Sequence, residues 1–117
     1  MNSKDKGTFA EAQAIAYYIS LGYEVSLPLG DRRPYDLIVD KGGELVRVQV
    51  KFTSNPQLSL RISGGNRSFH THKKYDEGSY DELFIWFDGS GYIYPALFGR
   101  NALTVDAEHA VGTAGSL

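Results

Sequence analysis

Apolar residues near the start of the chain recur every three to four positions, which is the spacing of a helix with one buried face. Thr8 and Glu11 have the spacing of a capping box, and an alanine-rich run follows them. Gly22 then interrupts the run, and glycine commonly ends a helix. This pattern predicts a helix over residues 8–21.

Beyond the helix the apolar positions alternate with polar ones, as they do along half-buried strands. The alternation predicts a short strand over residues 23–27 and two longer strands over residues 35–40 and 44–52. Gly42 and Gly43 separate the longer strands, and paired glycines supply the positive φ angles of a tight turn. The sequence therefore predicts a β-hairpin around this turn.

The second half of the chain alternates less regularly. Residues 58–62 predict a further strand, and residues 73–80 are compatible with either a short helix or an ordered loop. A continuous apolar run over residues 83–87, with residues 92–94 after a turn, predicts two buried strands that pair with each other.

Residues 105–111 have weak helical character, and the chain from about residue 112 onwards is expected to be frayed. The order of elements is therefore a helix, three strands, a connector and two strands. A length of 117 residues suits a single domain, and no repeat or linker divides it. The sequence predicts one domain over residues 1–117, of the α/β or α+β class, with a mixed sheet.

The composition restricts the chemistry that this domain can use. The chain has no cysteine, which excludes disulfides, thiolate metal sites and a cysteine nucleophile. It has no apolar run as long as a membrane helix and no signal-peptide pattern, so we expect an intracellular, cytoplasmic protein. A metal ion would have to be bound by oxygen or imidazole ligands.

Charge is distributed unevenly along the chain, whose net charge is −2. Residues 1–74 contain 11 Lys and Arg and 7 Asp and Glu, whereas residues 75–117 contain 1 and 7. A basic first part and an acidic remainder suit a domain that binds a polyanion through one surface. Chance, with acidic residues that only face solvent, explains the same imbalance, so charge alone does not decide.

The predicted hairpin separates two sets of side chains, because strand residues alternate between faces. In its register Lys41 faces Glu44, and Asp36 faces Gln49. One face is predicted to be a core that contains Tyr35, Leu37, Val39, Val46, Val48, Val50 and Phe52. The other face carries polar groups, namely Asp36, Arg47, Gln49 and Lys51.

Glu11 belongs to the face of the first helix that is expected to pack inward. It lies on one line with Ile15 and Tyr18, with Ile19 beside them. A carboxylate is rarely buried without a partner, so Glu11 needs protons, a metal ion or donors from another element. Its simplest role is to complete the capping box with Thr8, and the two roles are compatible.

Taken singly, Asp36, Gln49 and Lys51 are ordinary residues of a solvated sheet surface. Together they bring an acid, an amide oxygen and an ammonium group to one face of the hairpin. Mg²⁺ prefers oxygen ligands and retains water, and a nearby lysine can orient or deprotonate that water or neutralise a phosphate. The combination therefore indicates hydrolysis of a phosphodiester bond with the help of a divalent cation.

The same residues give the sequence a resemblance to a known family. Pro34-Tyr35-Asp36 followed by Gln49-Val50-Lys51 resembles the motif of the PD-(D/E)XK nuclease superfamily. These two segments, together with Gly30-Asp31, are most similar to the cyanobacterial group I intron homing endonuclease branch. The resemblance covers roughly residues 7–100 and implies a restriction-endonuclease-like αβββαβ core with a mixed central sheet.

The resemblance also implies roles for individual residues. Asp36 and Glu11 would bind the metal ion together with the Gln49 amide and the Val50 carbonyl, and Lys51 would be the catalytic lysine. Mg²⁺ is the implied cofactor, and Mn²⁺ is expected to substitute for it. Gln49 stands where the family usually has Asp or Glu. Either Glu11 supplies the missing negative charge, or the protein binds DNA without cleaving it.

Basic residues suited to DNA phosphates occur in and after the predicted hairpin. Those that we expect to bind DNA are Arg32, Arg33, Arg47, Arg61, Arg67, His70, His72, Lys73 and Lys74. A merely solvated loop is the alternative for the group from Arg67 onwards. A zinc site at His70 and His72 is the weaker interpretation, since the chain offers only one further histidine and no cysteine.

The sequence therefore predicts a Mg²⁺-dependent endonuclease that acts on double-stranded DNA. One small subunit reads few base pairs and has one site for two strands, so a homo-oligomer, dimer or tetramer, is expected. A site-specific homing endonuclease is the first choice. The alternatives are a Holliday-junction resolvase, a restriction-type nuclease, and a non-catalytic nucleic-acid-binding subunit on the same fold.

Overall fold

The computed structural model describes residues 1–30, 32–63, 72–74, 79–97 and 100–112, with the backbone alone for 61–63 and 72–74. Within these residues the chain forms a helix, α1 (Ser3–Ser20), and a 3₁₀ turn (Ala107–His109). The strands are β1 (Glu24–Ser26), β2 (Leu37–Lys41), β3 (Glu44–Thr53), β4 (Gln57–Ser59), β5 (Arg61–Ser63), β6 (His72–Lys74), β7 (Glu82–Phe87), β8 (Ser90–Pro95), β9 (Ala102–Thr104) and β10 (Ala110–Gly112).

The helix α1 begins earlier than the sequence pattern predicts. Asn2 caps it by accepting a hydrogen bond from the Asp5 N–H at 2.8 Å. The predicted capping box is wrong, because Thr8 lies inside the helix, where its hydroxyl donates to the Lys4 carbonyl at 3.1 Å. The polar residues before Thr8 have no apolar period and therefore concealed the true start. The predicted end is confirmed by Gly22, whose φ is +87°.

A mixed six-stranded sheet forms the centre of the fold, in the order β1-β2-β3-β7-β8-β10. β3 and β7 run parallel, and the other neighbours are antiparallel. A parallel pair needs a crossover connection. The described residues of this connection form β4 to β6 and contain no second helix of the αβββαβ core. The predicted α/β class and mixed sheet are confirmed. No helix in the described part of the chain is long and apolar enough to cross a membrane.

Some predicted elements differ from those in the structure. Residues 58–62 belong to two strands, β4 and β5, because Leu60 between them is buried and its N–H donates to the Asn101 carbonyl at 2.9 Å. Residues 105–111, predicted to be weakly helical, contain the 3₁₀ turn and the start of β10. Residues 75–78 and 113–117 lie outside the described residues, and with them half of the undecided connector and most of the predicted frayed end.

The hairpin of β2 and β3 has the predicted register. Ile38 is paired with Arg47, and Lys41 is paired with Glu44. Both glycines of the turn between them have positive φ, at +67° and +104°. Because a slip of one residue would exchange the two faces of the hairpin, this register fixes which side chains can meet at the site.

Apolar side chains cover both faces of the sheet. On one face α1 packs against β2, β3 and β7, and the buried residues are Ala10, Ala14, Tyr18, Leu37, Val39, Val46, Val48, Val50, Phe84 and Trp86. On the other face a second core contains Leu60, Tyr80, Leu83, Ile85, Tyr94 and Leu103. Because β7 contributes to both cores, its sequence is apolar without alternation.

Two residues predicted to pack in the core between the helix and the hairpin do not do so. Tyr35 packs on the second core, because it precedes β2 and does not follow the alternation of that strand. Ile19 is 55% exposed, because the buried stripe of α1 runs through Ala14 and Tyr18. On the second face of the sheet β3 presents the polar side chains of Arg47, Gln49 and Lys51, whereas residues of β7 and β8 belong to the second core.

Candidate active site

Asp36 lies directly before β2 and is held by the main chain of β3 on both sides of Gln49. Its N–H donates to the Val48 carbonyl at 2.8 Å, and its Oδ2 accepts from the Val50 N–H at 2.8 Å. These two bonds bring Asp36 opposite Gln49, as the register predicts. Burial raises the pKa of Asp36, and the Val50 N–H and the charge of Lys51 only partly oppose this rise.

Glu11 reaches the same region from α1. Burial raises the pKa of Glu11, and the charge of Asp36 raises it further. Both carboxylates line a cleft of about 480 Å³, which Arg33 also lines. Each carboxylate is therefore harder to ionise than an exposed one, and Glu11 is repelled by Asp36 when both are charged.

Lys51 follows Gln49 by two residues on β3, so the two side chains point to the same face of the strand. Burial lowers the pKa of Lys51, and the charge of Asp36 opposes this effect. The residue lines a second cleft of about 460 Å³ together with Lys6 and Val50. A lysine whose pKa is lowered exchanges its proton near neutral pH more readily than an exposed lysine does.

Gln49 is half-buried, and its amide contacts the neighbouring main chain. Its Nε2 lies 3.3 Å from the Val50 carbonyl oxygen, to which it donates. A carboxylate at this position could not make the contact, because an ionised carboxylate has no donor. The contact therefore holds the Val50 carbonyl close to the side chain of Gln49.

The groups around Asp36 fit a hard divalent cation. We call Glu11, Asp36, Gln49 and Lys51 the active-site cluster. Its acids offer carboxylate oxygens, Gln49 offers an amide oxygen, and Val50 offers a carbonyl oxygen, which are the ligands that Mg²⁺ accepts. Burial raises the pKa of both carboxylates, so a cation would supply charge compensation that the surrounding protein does not fully provide. The ligand set and the catalytic lysine stay predictions.

A second group of polar residues includes Tyr18 of α1. Tyr18 follows Glu11 by seven positions, which is about two turns of the helix. We call Tyr18, Lys41 and Glu82 the Glu82 cluster. Tyr18 Oη donates to Glu82 Oε2 at 2.5 Å, and Lys41 Nζ lies 2.9 Å from Glu82 Oε1. Burial, followed by the charge of Glu82, raises the pKa of Tyr18. Sequence reasoning missed this cluster, because its members are far apart along the chain.

Arg32 and Arg33 lie on the loop that leads to Asp36, and both are exposed. Arg33 also lines the cleft that contains the two carboxylates. A phosphate group that entered this cleft would therefore meet a guanidinium at its rim. The DNA contacts of both arginines stay predictions.

Arg47, which is also a predicted DNA contact, makes a forked ion pair with Asp81. Its Nε and Nη2 donate to the two carboxylate oxygens of Asp81, each at 3.1 Å. Its guanidinium also lies 5.9 Å from the centre of the Tyr35 ring. Arg47 thus connects the residue before β7 to the residue before Asp36, and a role in DNA binding is not tested by these contacts.

The remaining predicted DNA contacts are in the crossover. Arg61 of β5 pairs with Lys74 of β6. In the same ladder Lys73 of β6 pairs with Ile62, and His72 of β6 pairs with Ser63. The backbone therefore brings several basic positions to one small sheet. Arg67 and His70 lie outside the described residues, so neither their predicted DNA contacts nor the alternative zinc pair is tested.

Two features beside the clefts were not predicted. Lys6 lines the same cleft as Lys51, but the predicted helix began after it, so its side chain had no expected direction. Leu27, Pro28 and Gly30 form part of the wall of the cleft around Glu11. A loop of apolar residues carried no chemical signal in the sequence.

Asp106, Glu108 and His109 form another group of possible metal ligands, with ligand atoms within 4.8 Å of one another. The Asp106 side chain already caps the 3₁₀ turn and lies 2.7 Å from His109 Nδ1. The His109 ring also stacks on Tyr94, with 4.1 Å between ring centres. These contacts account for the arrangement without a metal ion.

Comparison with known proteins gives matches in sequence family and in structure. The model of a family described as PD-(D/E)XK endonuclease matches residues 1–99. A bacterial homing endonuclease, I-Ssp6803I, has a similar structure, with a TM-score of 0.75 and 27% identity over 91% of this chain and 79% of that chain. The Holliday junction resolvase Hjc of Archaeoglobus fulgidus shares the fold, with a TM-score of 0.59 and 14% identity over 95% and 94% of the two chains. No curated protein sequence matches the chain.

Proposed function

The chain belongs to the PD-(D/E)XK endonuclease family, and from this we propose that it is a Mg²⁺-dependent endonuclease which hydrolyses phosphodiester bonds in duplex DNA. Within that class we propose a site-specific homing endonuclease. The similarity to a bacterial homing endonuclease at 27% identity supports this choice. The resolvase, at 14% identity, supports the fold alone.

Two carboxylates around one cleft carry the proposal. Burial raises the pKa of Asp36 and of Glu11, and the charge of Asp36 acts on Glu11 as well. Such an arrangement costs free energy in the absence of a ligand, and acids with a perturbed pKa in a cleft are common at functional sites. Asp36, Glu11, Gln49 and Val50 are the residues that would hold the cation. When bound, Mg²⁺ supplies positive charge that activates water and stabilises the phosphate in the transition state.

Lys51 would act beside these ligands. Its lowered pKa allows the amine to accept a proton from the attacking water, and its protonated form can donate to a phosphate oxygen. Lys6 lines the same cleft and would neutralise a neighbouring phosphate. Arg32 and Arg33 would hold the DNA backbone at the other cleft, and Arg61, His72, Lys73 and Lys74 would extend the basic surface.

A non-catalytic DNA-binding subunit is the second candidate, and Gln49 favours it. A neutral amide oxygen binds a hard cation more weakly than a carboxylate does, and the Nε2 of Gln49 already donates to the Val50 carbonyl. In the catalytic proposal Glu11 supplies the missing negative charge. A homo-oligomer is part of the first proposal, because we assign one catalytic cluster to the described residues of each subunit and a duplex has two strands.

The experiment that tests the proposal uses a plasmid library with randomised inserts, incubated with the full chain in Mg²⁺ or in EDTA. Sequencing of the recovered ends then reports which duplexes were cut. Cleavage in Mg²⁺ at ends that share a sequence supports a site-specific homing endonuclease. Cleavage of a synthetic four-way junction, with the linear library intact, would instead assign a resolvase. DNA binding without cleavage in Mg²⁺, and in a parallel reaction with Mn²⁺ in its place, would assign the non-catalytic subunit.

A further inference from the structure

The loop between β1 and Arg32 presents apolar side chains to solvent. Leu29 is 99% exposed, and Leu27 is 58% exposed. Pro28 restricts the backbone between them, and Gly30 follows with φ +82°, a conformation that other residues rarely adopt. Leu29 therefore lies between a proline, which fixes its own φ, and a glycine that allows the chain to turn, and its side chain contributes almost nothing to the core.

This loop forms part of the wall of the cleft that contains the two carboxylates. Leu27, Pro28 and Gly30 line the cleft that contains Glu11 and Asp36. Any polymer that brings a bond to these carboxylates must pass close to the loop. Single exposed leucines are common on proteins, but the residues on either side of Leu29, Pro28 and Gly30, line the cleft that we assign to DNA.

Charge on the same loop restricts the partner further. Arg32 and Arg33, three and four residues after Leu29, are exposed, and Arg33 lines the cleft. Guanidinium groups attract phosphates, whereas a leucine has no favourable contact with them. Duplex DNA that contacts these arginines through its phosphates would also bring a groove, lined by bases, close to Leu29, which lies three residues before Arg32. Apolar side chains bind there against base edges or between base steps.

We propose that Leu29 is a DNA-contacting residue, which makes an apolar contact with the bases of the duplex beside the cleaved phosphate. This inference rests on the proposed function. Leu29 then contributes to the choice of DNA sequence next to the cut, while Arg32 and Arg33 anchor the backbone without reading it. A second copy of the chain is the competing partner for Leu29.

The test compares Leu29→Ala with Leu29→Met and with a matched control, Leu45→Ala. Leu45 is 65% exposed at the start of β3, next to the hairpin turn, and lines none of the clefts described above. The probe is the randomised duplex library, with binding measured in Ca²⁺ over a salt series and cut ends sequenced in Mg²⁺. Leu29→Ala removes the leucine surface that bound DNA would cover, and this loss should weaken DNA binding about tenfold. The salt slope should not change, because no charge is removed.

We further expect Leu29→Ala to relax the base preference beside the cut, Leu29→Met to retain most of it, and Leu45→Ala to match wild type. Equal affinity and equal base preference in Leu29→Ala and wild type would overturn the inference. So would a loss of oligomers in Leu29→Ala without DNA, which would assign Leu29 to contact with a second copy. If wild type binds duplexes but cuts none, nuclease activity fails while the binding series still decides the role of Leu29. If it binds no duplex, both proposals fail.

Discussion

The helix α1 contributes one residue to each of two polar clusters, and the clusters differ in how their buried charges are compensated. In the Glu82 cluster the charges are paired: Glu82 accepts from Tyr18 and from Lys41, with side chains only 16% and 27% exposed for Glu82 and Lys41. In the active-site cluster burial outweighs the partners. It raises the pKa of Glu11 and Asp36, and it lowers that of Lys51.

The difference between the clusters separates a structural role from a functional one. Paired charges at the end of a helix hold secondary structure elements together, and removal of one partner leaves the other buried and uncompensated. Groups whose ionised forms are disfavoured by burial do little for stability and retain capacity to bind a cation or a substrate. We therefore expect substitutions in the Glu82 cluster to lower stability and those in the active-site cluster to lower activity.

The largest effect is expected for Lys51→Ala. If the ammonium acts on the attacking water or on the transition state, the cleavage rate should fall about 10²–10⁴-fold with DNA affinity almost unchanged. Single-turnover cleavage and binding in Ca²⁺ measure the two quantities. Loss of binding together with cleavage would reassign Lys51 to anchoring a phosphate, and a large drop in melting temperature would make it structural.

Asp36→Asn should have the second-largest effect on cleavage. It removes the proposed main anionic ligand and should lower cleavage in Mg²⁺ by about 10²-fold or more, as expected when charge stabilisation at a reacting centre is lost. The amide oxygen can still accept from the Val50 N–H, and a buried charge disappears, so stability in EDTA should be equal or higher. Denaturant unfolding checks the second part. Retained cleavage would remove Asp36 from the site, and clear destabilisation would remove the contrast between the clusters.

Glu82→Ala tests the other cluster. It leaves Lys41 and Tyr18 without their shared acceptor and should lower the free energy of unfolding by about 1–3 kcal/mol. Glu44→Ala, which removes an exposed carboxylate from β3, is the matched control and should have little effect. Cleavage well below the melting temperature should stay close to wild type in both variants. A stable Glu82→Ala protein with lost activity would show that the Glu82 cluster serves the reaction.

Substitutions of Gln49 test whether its amide oxygen binds the cation. Gln49→Glu adds an anionic oxygen, so cleavage should persist and should rise at low Mg²⁺ concentration. Gln49→Leu offers no oxygen and should raise the Mg²⁺ concentration needed for half-maximal cleavage about tenfold, a change of about 1.4 kcal/mol. A Mg²⁺ titration of the three proteins is the measurement. Identical curves for Gln49→Leu and wild type would exclude the amide as a ligand.

The smallest effect concerns the exposed pair of Arg47 and Asp81. Hydrogen bonds from Arg47 lower the pKa of Asp81 below its ordinary value of 3.8. The pair therefore stabilises the folded state above that value, and its contribution is lost as the pH falls through the lowered pKa. Asp81→Asn should cost about 0.2–1 kcal/mol at neutral pH and almost nothing in strong acid. Glu24→Gln is the control, and a difference that persists in acid would exclude the charge as the cause.

The sequence predicted the parts of the fold that depend on neighbours along the chain. The period of two and the paired glycines determined the register of β2 and β3, because a slip by one residue would expose every apolar side chain of the hairpin. The same argument brought Asp36, Gln49 and Lys51 to one hairpin. The continuous apolar run of β7 also predicted its pairing with β8 correctly.

Which distant residues meet depends on how the helix and the sheet pack together. Tyr18 and Glu82 are 64 positions apart, and Arg47 and Asp81 are 34 apart, so no local period contains either contact. The start of α1 depended on an Asn2 cap in a polar segment, and Tyr35 left the hairpin pattern to pack on the second core. Local rules act through steric and hydrogen-bonding preferences over a few residues. Contacts between distant segments depend instead on how the helix and the sheet pack, which here brings Glu11 to the cleft of Asp36.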